Sequence, residues 1–197
     1  HIATQDVVVS LSGQLKTLAV ALIKISNDLR WMNAGPMTGF GEIELAPLQP
    51  GSSIMPGKVN PVIPESVCQV AAQVIGNDTT VAIAGQSGNF EINVMMPVAA
   101  HNLLQSIDLL ASASTNLAKQ CIDGLKATSK GPEMVNRGLA IVTTLVPHIG
   151  YDASAEIAHK AQVTGRTVLE VALEETSLEE SELVDILDPE SMTGSGS

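Results

Sequence analysis

Aromatic residues and positive charge are both scarce in this sequence. Phe, Trp and Tyr make up 2% of the 197 residues, and 10 Lys and Arg stand against 21 Asp and Glu, which gives a net charge of −11. Nucleic-acid-binding proteins combine cationic patches with aromatic side chains on which bases stack. The composition therefore argues against a nucleic-acid partner, and an anionic small substrate would require a local cation.

Cysteine is rare as well. Cys68 and Cys121 are the only two, and they do not form a C-x-x-C pair. We interpret them as buried core residues of a protein from a reducing compartment. His, Cys and carboxylate residues do not cluster at metal-ligand spacing, so neither a metal nor another cofactor is expected.

The sequence also lacks a long apolar run and a recognisable leader. Its longest apolar run, residues 18–23, lies between Lys16 and Lys24 and is too short to cross a bilayer. The chain opens HIATQD, with neither a basic start nor an initiating Met, which suggests a fragment. These features predict a cytoplasmic protein without a membrane partner.

Acidic residues are unevenly distributed along the chain. Nine of the 21 lie between Glu170 and Glu190, and no Lys or Arg follows Arg166, whereas residues 1–130 carry nine acids and seven bases. We interpret the acidic end as the solvated face of helices.

Helical periodicity is the strongest pattern that is present. Residues 1–31 repeat apolar side chains at spacings of three and four, which predicts one long helix with a heptad seam. Its other faces are apolar too, so it should be buried on more sides than one chain of this size can cover. The seam consists of Val8, Leu11, Leu15, Leu18, Leu22, Ile25 and Leu29.

Two more long helices are predicted. One covers residues 62–81, and the other contains residues 103–121, with Pro97 at its start or at a kink. No stretch alternates with period two over a useful length, so no sheet is expected. The fold class is therefore all-α, a bundle of long helices packed closely through small side chains.

The character of the chain changes after residue 124, where glycine and proline interrupt the long period. This predicts a helical bundle segment over 1–124 and a small helical C-terminal domain with a tail over 125–197. Two helix starts in the second part have capping-box spacing, Thr167 with Glu170 and Ser177 with Glu180.

Residues 48–65, LQPGSSIMPGKVNPVIPE, form the most unusual stretch. Gly51, Gly57 and the following lysine superficially resemble a phosphate-binding loop. However, five residues separate the two glycines, Val59 stands where Ser or Thr would ligate magnesium, and the flanks are helical. A plain connector is the second interpretation, but helix connectors in bundles usually need only about two to eight residues, fewer than the irregular stretch 33–60.

An anion-binding catalytic loop is the interpretation that fits residues 48–65 best. Glycines let the backbone turn so that N–H groups point at a ligand, Lys58 supplies a point charge, and Asn60 donates hydrogen bonds without charge. The adjacent hydroxyls of Ser52 and Ser53 lie beside these donors. Such a set suits a carboxylate, especially one that gains negative charge during a reaction.

The core of this loop, GSSIMPGKVNP, closely resembles the signature G-S-x-x-M-x-x-K-x-N of the fumarase and aspartase superfamily. The matched residues are Gly51, Ser52, Met55, Lys58 and Asn60. The stretches QVIGNDTTVAIAG, SGNFEINVMMPV and HIGYDASAEIAHKA resemble class II fumarases. Aspartases are similar around NPVIPE and VIGNDTT, but they carry a stretch like AGQLxLNVMEP where this chain has residues 88–91 as Gly-Asn-Phe-Glu, which favours fumarase.

The resemblance implies a fold, a reaction and a set of roles. The family is a homotetramer around a twenty-helix bundle, and it adds water to fumarate to give L-malate in the tricarboxylic acid cycle, reversibly and without a metal. Ser52 matches the catalytic base, and Glu65 matches a carboxylate that pairs with a catalytic histidine. The positions that match substrate-carboxylate contacts are Ser53, Lys58, the Val59 backbone and Asn60.

The family's catalytic histidine has no counterpart in this chain. His1, His101, His148 and His159 occupy other contexts and are interpreted as structural or surface residues. In the family, each site combines segments from three subunits, which predicts that the isolated chain is inactive.

Two alternatives stay open. An aspartase-like ammonia-lyase would use the same serine chemistry on an amine leaving group. A non-catalytic helical oligomerisation module is the other, although assembly alone gives no reason to keep the loop polar.

Overall fold

The computed structural model describes residues 3–35 and 37–193. The chain divides into two compact units, residues 1–128 and 129–197, and each has a hydrophobic cluster of its own. His1 and the end of the predicted tail, residues 194–197, lie outside the described residues.

Three long helices form the first unit. They are α1 (Asp6–Met32), α2 (Val62–Gln86) and α3 (Met96–Leu117), and a π-helical turn (Ala118–Ile122) continues α3. The sequence predicted all three, although α2 continues past residue 81 where the prediction ended. Pro97 lies in the first turn of α3, where its missing N–H would have had no helical partner. The all-α prediction is confirmed.

Helices α1 and α2 pack antiparallel. Near one end of the pair Ser12 contacts Asp78, and near the other Arg30 faces Glu65. Ala19 and Ala71 are completely buried, and side chains this small let two helix backbones approach closely. The buried apolar residues of this first core are Ala19, Leu22, Leu29, Ile43, Val67, Ala71, Val74, Leu110, Ala113, Leu117 and Cys121.

A two-stranded antiparallel sheet, not predicted from sequence, closes the first unit. Strand β1 (Ile43–Glu44) pairs with β2 (Lys126–Ala127), and the Thr128 N–H donates to the Glu42 carbonyl over 3.0 Å. Strands of two residues are too short to leave a period-two pattern in the sequence. Because β2 pairs back to β1, the first unit extends past the predicted boundary at residue 124.

Short helices form the second unit. Buried side chains from several of them, including Leu145, Val171 and Leu183, make its core. The elements are α4 (Lys130–Arg137), a 3₁₀ turn (Ala140–Leu145), α5 (Val146–Ile149), α6 (Tyr151–Thr164), α7 (Val168–Glu175), α8 (Glu180–Ile186) and a second 3₁₀ turn (Pro189–Met192).

One of the two predicted capping boxes forms. The Thr167 hydroxyl accepts from the Glu170 N–H, and the Glu170 carboxylate accepts from the Thr167 N–H over 2.8 Å. The Ser177 box is wrong, because α8 begins at Glu180 and its cap residue makes no side-chain hydrogen bond. Leu178, next to Ser177, packs against the second core, and Glu179 takes the cap position of α8 in place of Ser177.

The acidic end is exposed, as predicted, and part of it is paired. Arg166 donates to both carboxylate oxygens of Glu174 over 2.8 Å, and the Lys160 ammonium lies 3.8 Å from the same carboxylate. The Arg166 hydrogen bonds hold the pKa of the Glu174 carboxyl below its usual value. Such solvent-exposed pairs contribute little to stability.

Helix α1 is long and apolar enough to cross a membrane by length and composition alone. The same properties are found in core helices of bundles, and one side of α1 is already buried against α2. Its other side keeps Leu11, Leu18 and Ile25 exposed by 44%, 44% and 46%, at intervals of seven residues. The predicted seam is therefore only partly covered within one chain.

A buried carboxylate ties α1 to α2. Asp78 is 8% exposed, accepts from the Ser12 hydroxyl over 2.7 Å and accepts from the Lys16 ammonium over 2.5 Å. Burial acts to raise the pKa of Asp78, but the hydrogen bonds from Lys16 and Ser12 outweigh it and hold that pKa below its ordinary value.

This lowered pKa predicts a loss of stability in acid. Because the unfolded chain binds the Asp78 proton more readily, the stabilisation is present at neutral pH and is lost as pH falls below about 4 through the folded-state pKa. Asp78→Asn should lower the unfolding free energy at pH 7 by about 1.5–3 kcal/mol and flatten its acid dependence. Urea denaturation between pH 7 and pH 3 measures both.

Asp28→Asn, which breaks the exposed pair with Lys24, is the control and should change stability by less than about 1 kcal/mol. Equal effects of both variants would contradict the role of burial.

Candidate functional site

The Ser52 hydroxyl lies at the start of a tight turn between β1 and α2. Its oxygen accepts backbone N–H hydrogen bonds from Ile54 over 3.1 Å and Met55 over 3.2 Å. Serine hydroxyls commonly bond to N–H groups two and three residues later, so this geometry is a local feature of the chain. Two N–H donors aimed at one oxygen stabilise negative charge on it.

Backbone hydrogen bonds close the loop on itself. The Gly51 N–H donates to the Lys58 carbonyl over 2.7 Å, and the Asn60 side-chain amide donates to the Gly51 carbonyl over 2.9 Å. The sequence interpretation expected backbone N–H groups of this loop to point at a ligand, but the Gly51 N–H is used to hold the loop together. These hydrogen bonds bring Gly51 next to Lys58 and Asn60.

Two glycines are required by this geometry. A Cβ on Gly51 would lie 2.6 Å from the Lys58 carbonyl oxygen and 2.9 Å from the Asn60 nitrogen, closer than real contacts allow. Gly57 has φ +79°, a conformation that other residues rarely adopt.

The predicted site residues of the loop differ in their exposure to solvent. Ser53, Lys58 and Val59 are exposed, while Ser52 and Asn60 are partly buried. Over residues 3–35 and 37–193, no carboxylate lies within ion-pair distance of the Lys58 ammonium. The lysine is thus available to an external anion.

Glu65 lies in the first turn of α2 and faces α1. Its carboxylate is 4.0 Å from the guanidinium of Arg30, a residue that sequence reasoning did not select. Both residues line a cleft of about 310 Å³, together with Val59 and Pro61 of the loop. The only sequence signal for Arg30 is its place at the end of the helix that precedes the loop.

The histidines and the two cysteines differ in their exposure to solvent. His101, His148 and His159 are exposed. Cys121 is buried as predicted, whereas Cys68 is only partly buried and donates to Asn27 Oδ1 over 3.7 Å. Within the described part of the chain, no three His, Cys, Asp or Glu residues gather as a metal site would require.

Two family models match this chain. The model described as Lyase matches residues 1–76, which contain the signature loop, and the model described as Fumarase C C-terminus matches residues 141–194.

Curated relatives match nearly the whole chain. It is 58% identical over 196 residues to fumarate hydratase class II 2 of Pseudomonas aeruginosa and 57% identical over 196 residues to fumarate hydratase class II of Xylella fastidiosa. It is also 50% identical over 193 residues to aspartate ammonia-lyase of Pseudomonas aeruginosa. These matches cover 99%, 99% and 96% of this chain but only 43%, 41% and 41% of the relatives.

Solved structures share the fold. A class II fumarase from Schistosoma mansoni superposes with a TM-score of 0.89 at 38% identity, covering 97% of this chain and 40% of that one. A protein described as fumarate lyase:delta crystallin from Brucella melitensis, bound to cobalt, gives 0.86 at 49% identity, covering 94% and 40%. The chain therefore belongs to the fumarase/aspartase superfamily of lyases. Within it, two class II fumarate hydratases match this chain at higher identity than the aspartate ammonia-lyase does.

The closed loop predicts a specific sensitivity to substitution at Gly51. Gly51→Ala should force the Lys58 carbonyl away and expose the Gly51–Lys58 hydrogen bond, so the amides of residues 51–60 should exchange faster with deuterium. Gly13→Ala on α1 is the control, because a Cβ there meets nothing within 4 Å and alanine favours a helix. Unchanged exchange in the Gly51 variant would contradict the closed geometry.

Proposed function

We propose that the protein containing this chain is a class II fumarate hydratase, which interconverts fumarate and L-malate by general acid–base catalysis. The observation that carries the proposal is the Ser52 oxygen, held by two backbone N–H donors within the family's signature loop. The similarity of the chain to two fumarate hydratases supports the same reaction.

Ser52 acts as the base in the direction that forms fumarate. Its alkoxide removes the proton from the carbon beside one malate carboxylate, and the electron pair moves into that carboxylate to give an aci-carboxylate. The C–O bond on the neighbouring carbon then breaks, and an acid on the opposite face protonates the leaving hydroxide to water. Hydration is the reverse sequence.

An alcohol is a weak base at neutral pH, so its alkoxide needs stabilisation. The Ile54 and Met55 N–H groups are placed to provide it, and one well-aimed donor to an oxyanion contributes about 3 kcal/mol. General acid–base assistance then contributes a factor of about 10²–10⁴ in rate. Both contributions are needed.

The open side of the loop suits a carboxylate of the substrate. Lys58 offers a cation with no carboxylate in ion-pair range among the residues that the structure describes, and Ser53, the Val59 backbone and Asn60 offer neutral donors. These donors would also stabilise the extra charge that the aci-carboxylate carries.

Glu65 orients the histidine that completes the acid–base machinery. Among residues 3–35 and 37–193, no histidine pairs with Glu65. This fits a site in which the histidine comes from another segment of the assembled protein.

Assembly as a homotetramer accounts for the apolar surface of the long helices. Leu11, Leu18 and Ile25 of α1 are exposed by 44–46%, and Leu104 of α3 is exposed by 60%. Burying side chains of this size in a shared bundle contributes about 1.5–3 kcal/mol each. We place the assembled enzyme in the cytoplasm, as a member of the tricarboxylic acid cycle.

An aspartase-like ammonia-lyase is the second candidate, favoured by the 50% identity to aspartate ammonia-lyase of Pseudomonas aeruginosa. It would use the same serine with an amine as leaving group. Release of ammonia from L-aspartate at a rate exceeding malate turnover would decide for it.

The base assignment predicts how two loop variants differ. In the full-length enzyme, Ser52→Ala should lower kcat by about 10²–10⁴ with little change in KM, whereas Lys58→Ala should lower kcat and raise KM because it also binds the ground state. Steady-state assays that follow fumarate absorbance measure both. Lys119→Ala, an exposed lysine outside the loop, is the control. Near-normal turnover by the Ser52 variant would remove the base role.

The shared site predicts the behaviour of the isolated 197-residue chain. It should associate through its apolar helices and yet show no hydratase activity, because it lacks the partner histidine. Leu18→Gln combined with Ile25→Gln should weaken the association, whereas Lys24→Gln on the same helix should not. Sedimentation equilibrium and the fumarate assay test both halves. A stable monomer would contradict the assembly, and robust turnover would contradict the shared site.

A further inference from the structure

Arg30 is a charged residue near the site, and it lies outside the signature loop. It lies in the last turn of α1 and lines the same cleft as Glu65 and Val59. The side chains of Arg30 and Glu65 are 42% and 35% exposed. Both side chains are therefore accessible, through the cleft, to another segment of the full-length protein.

A hydrogen bond within α1 sets the direction of the Arg30 guanidinium. Its NH1 group donates to Asn27 Oδ1 over 2.9 Å, one turn earlier on α1, and the same oxygen accepts from the Cys68 thiol of α2. Because a guanidinium is planar and rigid, holding NH1 also sets the direction of NH2. NH2 faces Glu65 Oε1.

The Arg30 guanidinium and the Glu65 carboxylate attract each other without a hydrogen bond between them. At 4.0 Å, the contact is an electrostatic attraction and is longer than a hydrogen bond. Both carboxylate oxygens of Glu65 therefore keep their capacity to accept a hydrogen bond from another donor. An arginine at this distance can orient the carboxylate without occupying it.

We propose that Arg30 is a positioning residue, held by Asn27, that keeps the Glu65 carboxylate turned into the cleft to receive the catalytic histidine. This inference rests on the proposed function, since it requires Glu65 to act on that histidine. Arg30 is placed to act through Glu65 and not on the substrate.

A double-mutant cycle in the full-length enzyme tests the proposal, with Arg30→Gln, Glu65→Gln and the combined variant. Glu65→Gln should lower kcat at least about tenfold. Arg30→Gln should lower kcat up to about fivefold, the rate equivalent of a partly exposed ion pair, with KM changed less than about twofold. In the Glu65→Gln background, Arg30→Gln should have no further effect beyond about twofold.

Two further variants separate positioning from general structure. Arg30→Lys keeps the charge and should recover part of the lost kcat. Lys24→Gln removes a cation of the same helix that pairs only with Asp28 among the residues described, and kcat should not change. Thermal unfolding of each variant identifies any that are misfolded. If Arg30→Gln is misfolded, the kcat of Arg30→Lys is compared with that of the unchanged enzyme instead.

The outcomes distinguish the inference from the proposed function. Normal kcat in Glu65→Gln would remove the role of Glu65 and the inference with it. If Glu65→Gln lowers kcat but Arg30→Gln leaves it normal, only the inference is overturned and the proposed function stands. Losses that add in the combined variant, or an effect of Arg30→Gln mainly on KM, would also overturn it, because they would indicate a structural role or direct substrate binding.

Discussion

Close antiparallel packing of α1 on α2 is the constraint on which the rest of the first unit depends. Fully buried alanines, Ala19 on α1 and Ala71 on α2, let the two helices approach each other. The loop of residues 48–65 runs into the start of α2, after the chain has left the end of α1. The packing of the two helices therefore positions the end of the loop, where it enters α2, and brings Arg30 opposite Glu65.

Different physical effects hold the two ends of this helix pair. At one end, a carboxylate is buried and held by Ser12 and Lys16, so its charge is compensated within the chain. At the other end, charged and polar groups stay open to solvent around the cleft. The closed end stabilises the pair, whereas the open end leaves polar groups available for binding, which is the usual distribution of roles between scaffold and site.

The loop itself is organised by short-range hydrogen bonds. The Ser52 oxygen receives N–H groups from residues two and three positions later, and Gly51 bonds to Lys58 across the turn. Such a loop needs few distant contacts to form. Its proposed chemistry, in contrast, needs a histidine beside Glu65, and residues 3–35 and 37–193 do not supply one, so the proposal requires another segment of the assembled protein.

The sequence by itself determined the features that depend on neighbours along the chain. Helical periodicity located the three long helices, residue type and spacing identified the signature loop from Gly51 to Asn60, and the Thr167 capping box formed as predicted. Only the tertiary structure decided the rest, because those features join residues far apart in sequence or depend on burial. The pairing of Ile43 with Ala127, the contact between Arg30 and Glu65, and the failure of the Ser177 box beside a packed Leu178 are of this kind. Periodicity marks a face as apolar, but only packing decides whether another helix of the same chain covers it.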